Sequence, residues 1–202
     1  MREELLDLFR RSGALLDGHF RLSSGLHSPG YLQCALVLSH PRDAEALGRA
    51  IADRTRDLRP TIVLSPALGG VVIGHEVGRA LGVRAIFAER QNGALTLRRG
   101  FVLAENDRVL VVEDVFTTGG STRETIQVAK AASAEIVGAA SIVDRSPSSR
   151  SNEGARSGQV ADLGVPFVPL LNMDLPTYEP DKCPLCAQGL PVVKPGSRPV
   201  VA

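Results

Sequence analysis

The chain has 202 residues, a length that predicts one medium-sized domain with room for a small appendage. Its 23 basic and 22 acidic residues leave a net charge of +1, which argues against a polybasic nucleic-acid binder and against an acidic tail. The basic residues include three lysines, Lys130, Lys182 and Lys194, which disfavours lysine-nucleophile chemistry, and no Gly-Lys-Ser/Thr triplet of a Walker phosphate loop occurs. We therefore expect arginine to supply any cationic side chain that holds phosphate.

The expected location follows from the apolar residues and the cysteines. No apolar stretch approaches the roughly 20 residues of a membrane-spanning helix. The N-terminal residues, MREELLDLFRRSG, predict a charged amphipathic helix and lack the apolar centre of a signal peptide. Cys34, Cys183 and Cys186 do not make a disulfide framework. Together these features predict a cytoplasmic location.

The N-terminal part of the chain is predicted to contain two helices with extended segments between them. Apolar residues recur at helical spacing over 3–12 and again over 41–58. Ser39 is the expected N-cap of the second helix, with Pro41 in its first turn. Between the helices, Ser, Gly and Pro separate short apolar runs over 18–40, a pattern typical of strands and turns.

From residue 61 onward, short apolar strands alternate with helices. Strands are predicted over 61–65, 84–88, 108–113, 135–144 and 167–171, helices over 71–81 and 121–132, and a polar loop over 89–100. Strands that are apolar throughout and alternate with helices form a parallel sheet that is covered on both faces. We therefore predict an α/β fold, an open, mainly parallel, twisted sheet flanked by helices. Ligands bind such sheets beyond the carboxyl ends of the strands.

The composition changes near the C-terminus. Six of the 13 prolines follow Met173, which predicts an extended tail draped over the domain or over a neighbouring subunit. The sequence thus divides into a small N-terminal hood with its helix (1–40), an α/β core (41–172) and a Pro-rich C-terminal tail (173–202).

The clearest functional signal is the segment VLVVEDVFTTGGST at 109–122. A buried strand delivers the adjacent carboxylates of Glu113 and Asp114 to its tip, and a turn rich in glycines and hydroxyls opens the next helix. Glycines let the backbone wrap around an anion, and the amides at a helix N-terminus favour phosphate. The carboxylates would repel phosphate, but they accept hydrogen bonds from sugar hydroxyls or hold the water shell of Mg²⁺. This order predicts a phosphorylated sugar as ligand, with its phosphate at 117–122.

Each part of this segment also has an ordinary structural interpretation. Thr-Gly-Gly is a common turn, and Glu-Asp at a strand end is commonly a solvated edge. Each of these interpretations is favoured when its part is considered alone. The combination of both parts, in this order and directly after a buried strand, favours ligand binding.

The same segment resembles the phosphoribosyl-pyrophosphate (PRPP) binding motif of type I phosphoribosyltransferases. SPALGG (65–70) is similar to the pyrophosphate loop of that family. FRLSSGLHSPGY (20–31) is similar to the base-pocket segment of the orotate-specific members, and IVDRS (142–146) to their strand-end Asp-Arg. The ending, EPDKCPLCAQGLPVVKPGSR, is similar to the tail of one bacterial and archaeal branch of the orotate enzymes.

The resemblance implies a role for each matching residue. It implies that Mg²⁺, the expected cofactor, is held mainly by the substrate, with Glu113 and Asp114 as protein ligands, and that Asp114 is catalytic. Orotate is expected to contact Ser23, Ser24, Gly25, Thr117 and Arg145, with the guanidinium paired to the orotate carboxylate. The residues expected to bind PRPP are Ala67, Leu68, Gly69, Gly70, Arg90, Glu113, Asp114, Thr117, Thr118, Gly119, Gly120, Ser121 and Thr122.

Three departures concern lysines of the resembling enzymes. Those enzymes carry lysine where this chain has Ser23 and Gly69, and their mobile loop carries lysines and a histidine. Residues 89–100 of this chain contain neither, so Arg98 and Arg99 become the expected catalytic cations beside the site. Arginine can neutralise pyrophosphate but is a poor proton donor.

The resemblance implies transfer of the phosphoribosyl group of PRPP to orotate, which yields orotidine 5′-monophosphate and pyrophosphate, by a homodimer without nucleic-acid or membrane partners. A purine-specific transferase is one alternative, although a purine offers no carboxylate to Arg145. A non-enzymatic regulator that senses PRPP is another, although no basic patch or appended DNA-binding domain is visible. A generic sugar-phosphate module would not need the pyrophosphate loop.

Two weaker signals remain. Cys183 and Cys186 have the spacing of half a zinc site, but we rank a metal below a simple structural tail and keep a site shared across a dimer open. His27 is expected to contact ligand, to stabilise a turn or to be exposed. The other histidines, His19, His40 and His75, are expected to be structural.

Overall fold

A computed structural model of the chain describes residues 2–22, 24–146 and 163–195. These residues divide into two units. The first unit combines the residues up to Val37 with those from Leu175 onward, and the second spans Leu38–Asp174. The N-terminal segment and the C-terminal tail therefore belong to one unit, although the whole core separates them in sequence.

The first unit begins with α1 (Arg2–Arg11), which is followed by strands β1 (Leu15–Arg21) and β2 (His27–Leu32) and by the short helix α2 (Cys34–Leu38). The two strands pair antiparallel. The predicted N-terminal helix and the extended segments after it are confirmed. Helix α2 was not predicted, because five residues are too short to show a helical period.

The tail completes the first unit by hydrogen-bonding to both strands of the hairpin. Tyr178 exchanges two backbone hydrogen bonds of 2.8 Å with His27 in β2. On β1, Val193 donates to the carbonyl of His19 and accepts from the amide of Arg21, also at 2.8 Å. Between these two attachments the tail forms a 3₁₀ turn and the short helix α6 (Pro184–Ala187). The described part of the tail is thus extended where it pairs with the hairpin, and it is helical between the two attachments.

The second unit is an α/β sheet with its helices. Its elements are α3 (Pro41–Thr55), β3 (Ile62–Pro66), α4 (Gly69–Leu81), β4 (Arg84–Gln91), β5 (Ala94–Leu97), β6 (Arg108–Phe116), α5 (Gly120–Ala131), β7 (Glu135–Asp144) and β8 (Phe167–Asn172). In the described part of the chain the sheet has six strands in the order β5-β4-β3-β6-β7-β8; β5 pairs antiparallel with β4, and the other neighbours pair parallel. The predicted open, mainly parallel sheet is confirmed.

The central strands form the core of this unit because they are apolar on both faces. All five residues of β3 are buried, and β6 and β7 contribute fully buried side chains such as Val111 and Ile142. Helix α4 packs closely on β3 at Gly74, where an added Cβ would overlap the Ser65 hydroxyl. This close packing fixes the start of α4 relative to the end of β3, where the pyrophosphate loop was predicted.

The structure corrects three predicted boundaries. The stretch 89–100 is not a loop: β4 continues to Gln91, turns at Asn92-Gly93 and returns as β5, and the turn residues have φ angles of 51° and 86°. The hairpin is half-exposed, so it lacks the apolar run that identified the central strands. The N-cap of α3 is His40 rather than Ser39. Strand β6 extends to Phe116, so the paired carboxylates lie within the strand rather than at its tip.

No helix of the described segments is long and apolar enough to cross a membrane.

Candidate functional site

Glu113 and Asp114 lie in the C-terminal half of β6, a central strand of the sheet. Adjacent residues of a strand point to opposite faces, so the two carboxylates leave the strand on different sides. Glu113 accepts a hydrogen bond from the buried Thr122 hydroxyl in the first turn of α5. This bond ties the strand end to the helix start, and it uses a hydroxyl that was predicted to bind phosphate.

Both acids have pKa values above their ordinary range. Burial raises the pKa of Glu113 from 4.5 to about 7; the hydrogen bonds from Thr122 and Ser121 oppose the rise, and the neighbouring Asp114 charge adds to it. Burial also raises the pKa of Asp114, although its own backbone amide and that of Val115 oppose this effect. Burial therefore disfavours the form in which both carboxyls are ionised, and a bound cation or hydroxyl donors would stabilise that form.

The turn after β6 is shaped for an anion. Gly119 is the N-cap of α5 with φ of 75°, a left-handed conformation, and an added Cβ would lie 2.5 Å from the Phe116 ring. Thr117 and Thr118 are exposed beside the first turn of the helix, and the Thr118 carbonyl accepts a hydrogen bond from Arg123. Backbone amides of a first helical turn have no intrahelical acceptor, so they are available to a phosphate.

The predicted pyrophosphate loop lies next to this turn, because β3 and β6 are neighbouring parallel strands. The loop leaves β3 through Ala67, whose amide donates to the Ala88 carbonyl at 2.8 Å, and Leu68 is 87% exposed. Gly69 then faces the carboxylate of Asp114: a Cβ added at Gly69 would lie 2.6 Å from Oδ1. The structure thus brings together the two predicted PRPP-binding loops, and it explains why a side chain at position 69 would disturb Asp114.

Arg145 lies at the same edge of the sheet, directly after β7. Its backbone amide donates to the carbonyl of Phe116 at 2.8 Å, which places it beside Thr117, the other core residue predicted to contact orotate. The buried Asp144 carboxylate accepts from the amide of Ser146 at 2.8 Å and shapes the turn after Arg145.

Two of the three cations predicted at the β4–β5 hairpin, Arg90 and Arg99, are engaged with carboxylates. Arg90 makes a two-pronged ion pair with Glu124 on α5, with both N–O distances 3.0 Å. Arg99 makes a similar pair with Glu89 at 2.7 and 2.8 Å. These hydrogen bonds lower the pKa of Glu124 and of Glu89, and the charge of the neighbouring Arg98 lowers that of Glu89 further. Arg90 and Arg99 must therefore exchange a carboxylate for a phosphate if they are to bind diphosphate.

Sequence reasoning missed these two carboxylates. Glu124 is 34 residues from Arg90, and Glu89 is 10 residues from Arg99. Neither separation is a helical or strand period, so no local signal pairs them. The charge balance of the chain, which predicts that most arginines have acidic neighbours, was the one available indication.

The remaining orotate candidates belong to the first unit. Ser24 and Gly25 form the turn between β1 and β2, where Gly25 has φ of 88° and its amide donates to the Leu22 carbonyl at 2.9 Å. The Ser24 hydroxyl accepts a long hydrogen bond of 3.4 Å from the amide of Leu26. Ser23 lies outside the described residues.

Comparison with known proteins gives a consistent set of similarities. Residues 36–158 match the phosphoribosyl transferase domain. The orotate phosphoribosyltransferase of Heliobacterium modesticaldum is 51% identical over 199 residues, and that of Desulforamulus reducens is 49% identical over 199 residues; each match covers 98% of both chains. The crystal structure of Mycobacterium tuberculosis orotate phosphoribosyltransferase in complex with PRPP matches with a TM-score of 0.64 and 27% identity, over 85% of this chain and 95% of that one. The sequence similarity therefore extends over both units.

Proposed function

The chain belongs to the phosphoribosyl transferase family and, within it, to the orotate phosphoribosyltransferases, and from this premise we propose which of its residues carry out the reaction. The enzyme transfers the phosphoribosyl group of PRPP to orotate and releases pyrophosphate, a step of pyrimidine biosynthesis. One observation supports the proposed site above all: the Gly69 backbone lies against the Asp114 carboxylate. A diphosphate on the first loop is thereby next to a ribose on the second.

The 5-phosphate of PRPP binds the turn from Thr117 to Thr122. Backbone amides at the start of α5 and the exposed hydroxyls of Thr117 and Thr118 donate to the phosphate oxygens, and the positive end of the helix dipole adds to the attraction. The Thr122 hydroxyl stays on Glu113, so Thr122 contributes its amide rather than its side chain. This arrangement places the ribose over the carboxyl end of β6.

Glu113 and Asp114 accept hydrogen bonds from the ribose hydroxyls. Their raised pKa values mean that burial disfavours their charge, and hydroxyl donors compensate for the lost water. Carboxylate oxygens are also the donor set that Mg²⁺ prefers, so both residues suit a cation that enters with the substrate. When bound, Mg²⁺ supplies positive charge against the diphosphate. Dependence on Mg²⁺ is part of this proposal.

The reaction is a displacement at the anomeric carbon. The bond to the diphosphate oxygen breaks, the orotate nitrogen forms the new bond, and the ribose passes through an oxocarbenium-like transition state. Backbone amides of the Ala67–Gly70 loop after Ala67, whose own amide donates to Ala88, hold the departing diphosphate. We assign Arg90, Arg98 and Arg99 as the side-chain cations that neutralise it. Catalysis then consists of positioning and of stabilising the charge on the leaving group.

Orotate binds where Arg145 and Thr117 meet. The guanidinium forms a two-pronged contact with the orotate carboxylate, a geometry that lysine cannot reproduce. The assignment of Ser23, Ser24 and Gly25 to orotate follows from the family resemblance. A homodimeric assembly, which follows from the family resemblance, and a cytoplasmic location, which follows from the composition, are further parts of this proposal.

A panel of bases tests the proposal. Purified enzyme is incubated with PRPP and Mg²⁺ and with orotate, uracil, adenine, hypoxanthine or xanthine, and pyrophosphate release is followed. We expect that orotate is the only base of the panel to be turned over. Asp114→Asn should lose this turnover, and Glu105→Gln, which alters an exposed turn, should keep it. Turnover of a purine without orotate would refute the assigned substrate. Binding of PRPP without turnover of any base would indicate a regulator.

A further inference from the structure

Four potential metal ligands meet in the first unit, and none of them is among the residues assigned to catalysis. His19 on β1, His27 on β2, and Cys183 and Cys186 around α6 each offer one ligand atom, and these four atoms all lie within 4.8 Å of one another. The two histidines and Cys183 are buried. Cys186 is exposed as a residue, although its contacts within the cluster are partly buried. All three cysteines of the chain are free thiols.

The spacing of these atoms is that of a tetrahedral zinc site. With Zn–N bonds of about 2.0 Å and Zn–S bonds of about 2.3 Å, neighbouring ligand atoms of a tetrahedron lie about 3.3–3.8 Å apart. The Sγ of Cys186 lies 3.3 Å from His27 Nδ1 and 3.7 Å from His19 Nε2. His19 Nε2 lies 3.4 Å from Cys183 Sγ and 2.9 Å from His27 Nδ1. These four separations differ from the tetrahedral values by a few tenths of an ångström at most, and the other two ligand pairs lie within 4.8 Å.

The hydrogen bond on the far side of the His19 ring orients it for a metal. Its Nδ1 lies 2.8 Å from the carbonyl oxygen of Leu190. A carbonyl can only accept, so Nδ1 carries a proton, and in this tautomer the lone pair of Nε2 faces the cluster. Zinc-bound histidines characteristically donate their second N–H to a carbonyl or carboxylate in this way.

Hydrogen bonding alone does not account for the cluster. The single lone pair of His19 Nε2 is approached by His27 Nδ1 and by both sulfur atoms, all within 3.7 Å. One lone pair accepts one well-aligned hydrogen bond, so two of these three contacts would contribute little stabilisation as hydrogen bonds. A cation at the centre satisfies all of them. Two thiolates and two neutral imidazoles also balance the charge of Zn²⁺, which keeps the cost of burial low.

We propose that His19, His27, Cys183 and Cys186 bind one Zn²⁺ ion in a closed, tetrahedral, structural site. The two cysteines lie between the backbone attachments of the tail at Tyr178 and at Val193. Zinc would therefore fasten the centre of the tail to both strands of the hairpin. In this proposal His27 is a zinc ligand, and it does not contact the base, stabilise a turn or lie exposed, the three roles expected from the sequence. The inference does not depend on the proposed function.

The first test is the metal content of the full-length protein, purified without chelator. Elemental analysis should find one zinc per chain in the wild type and background zinc in the double variant C183S/C186S. Cys34→Ala is the matched control, because it removes the third thiol, which is buried outside the cluster, and it should retain one zinc. His75→Ala, at an exposed histidine, should retain it as well.

The second test uses cobalt as a spectroscopic probe and does not depend on whether the variants fold. Wild-type protein stripped with a chelator, or refolded after stripping, is titrated with Co²⁺. We expect visible ligand-field bands of tetrahedral intensity and a thiolate-to-cobalt charge-transfer band, both saturating at one equivalent and abolished by Zn²⁺. Stripping should also lower the Tm and expose the tail to proteolysis, and Zn²⁺ should reverse both changes.

Four results would overturn the assignment. Folded wild-type protein with zinc at the background level, no tetrahedral cobalt spectrum and all cluster thiols freely reactive would show that the four residues form no metal site. Stoichiometric iron in place of zinc, or a cobalt spectrum without sulfur charge transfer, would refute zinc or the cysteine ligands respectively. Zinc that survives in C183S/C186S would place the ion elsewhere in the chain.

Discussion

Replacing Glu113 with glutamine should stabilise the protein at alkaline pH while it damages the active site. The fold raises the pKa of this carboxyl from 4.5 to about 7, mainly through burial. Its charged form is therefore disfavoured in the folded state. The contribution of Glu113 to stability is fullest below the unfolded pKa and is lost as the pH rises through the folded value. Glutamine is uncharged at every pH and still accepts the hydrogen bond from Thr122.

The size of the effect follows from the pKa difference. Glu113→Gln should be more stable than the wild type by about 1 kcal/mol at pH 5 and by about 3 kcal/mol at pH 8. In a chain of this length the larger value corresponds to a Tm increase of about 6–12 °C. The affinity for PRPP should fall at the same time, because an amide does not replace a carboxylate as acceptor for the ribose hydroxyls.

Urea unfolding of both proteins across this pH range, at one fixed protein concentration, measures the difference. Glu105→Gln serves as the control at an exposed turn, and its stability difference from the wild type should not vary with pH. A difference for Glu113→Gln that is constant with pH, or a variant less stable than the wild type at pH 8, would refute the reasoning that burial raises the pKa.

Further predictions concern the two substrates. In Gly69→Ala the added Cβ displaces the Asp114 carboxylate, so the KM for PRPP should rise by about 10- to 100-fold with little change in Tm; an unchanged KM would contradict the contact. Arg145→Ala should raise the KM for orotate by about 10- to 100-fold and leave that for PRPP unchanged, and Arg145→Lys should recover only part of the loss. Glu124→Gln frees Arg90 from its ion pair, so the KM for PRPP should fall; no change would argue against a diphosphate contact by Arg90. In the wild type, the KM for PRPP should fall between about pH 6 and pH 8 as the Glu113 carboxyl ionises, and a flat profile would contradict its role.

The fold was predictable for strands that are buried on both faces, because such strands appear in the sequence as continuous apolar runs. Strand β7 was predicted over 135–144 and is found at Glu135–Asp144, because both of its faces are covered and the run has sharp polar ends. The β4–β5 hairpin was not predicted, because β5 lies at the sheet edge and alternates only partly between buried and exposed residues. The pattern of a half-covered edge strand is weaker than that of a central strand.

The two phosphate-binding loops were predictable because their residues are contiguous in sequence and their chemistry is specific. The contact of Gly69 with Asp114 was not, because it depends on which strands are neighbours in the sheet. The His–Cys cluster was only half visible: Cys183 and Cys186 have a recognisable spacing, but the two histidines are brought together by strand pairing within a hairpin that the tail then covers. The spacing of residues in the sequence identifies metal ligands that lie within one segment. The other ligands become visible only when the pairing of distant strands is known.

The central claim is that the two loops at neighbouring strand ends hold the two ends of PRPP. A crystal structure of this enzyme with PRPP and Mg²⁺ tests it most directly. We predict the 5-phosphate on the amides and hydroxyls of 117–122, the ribose hydroxyls on Glu113 and Asp114, and the diphosphate on Ala67–Gly70. A PRPP molecule bound with its 5-phosphate elsewhere, or with no ribose contact to either carboxylate, would contradict the account.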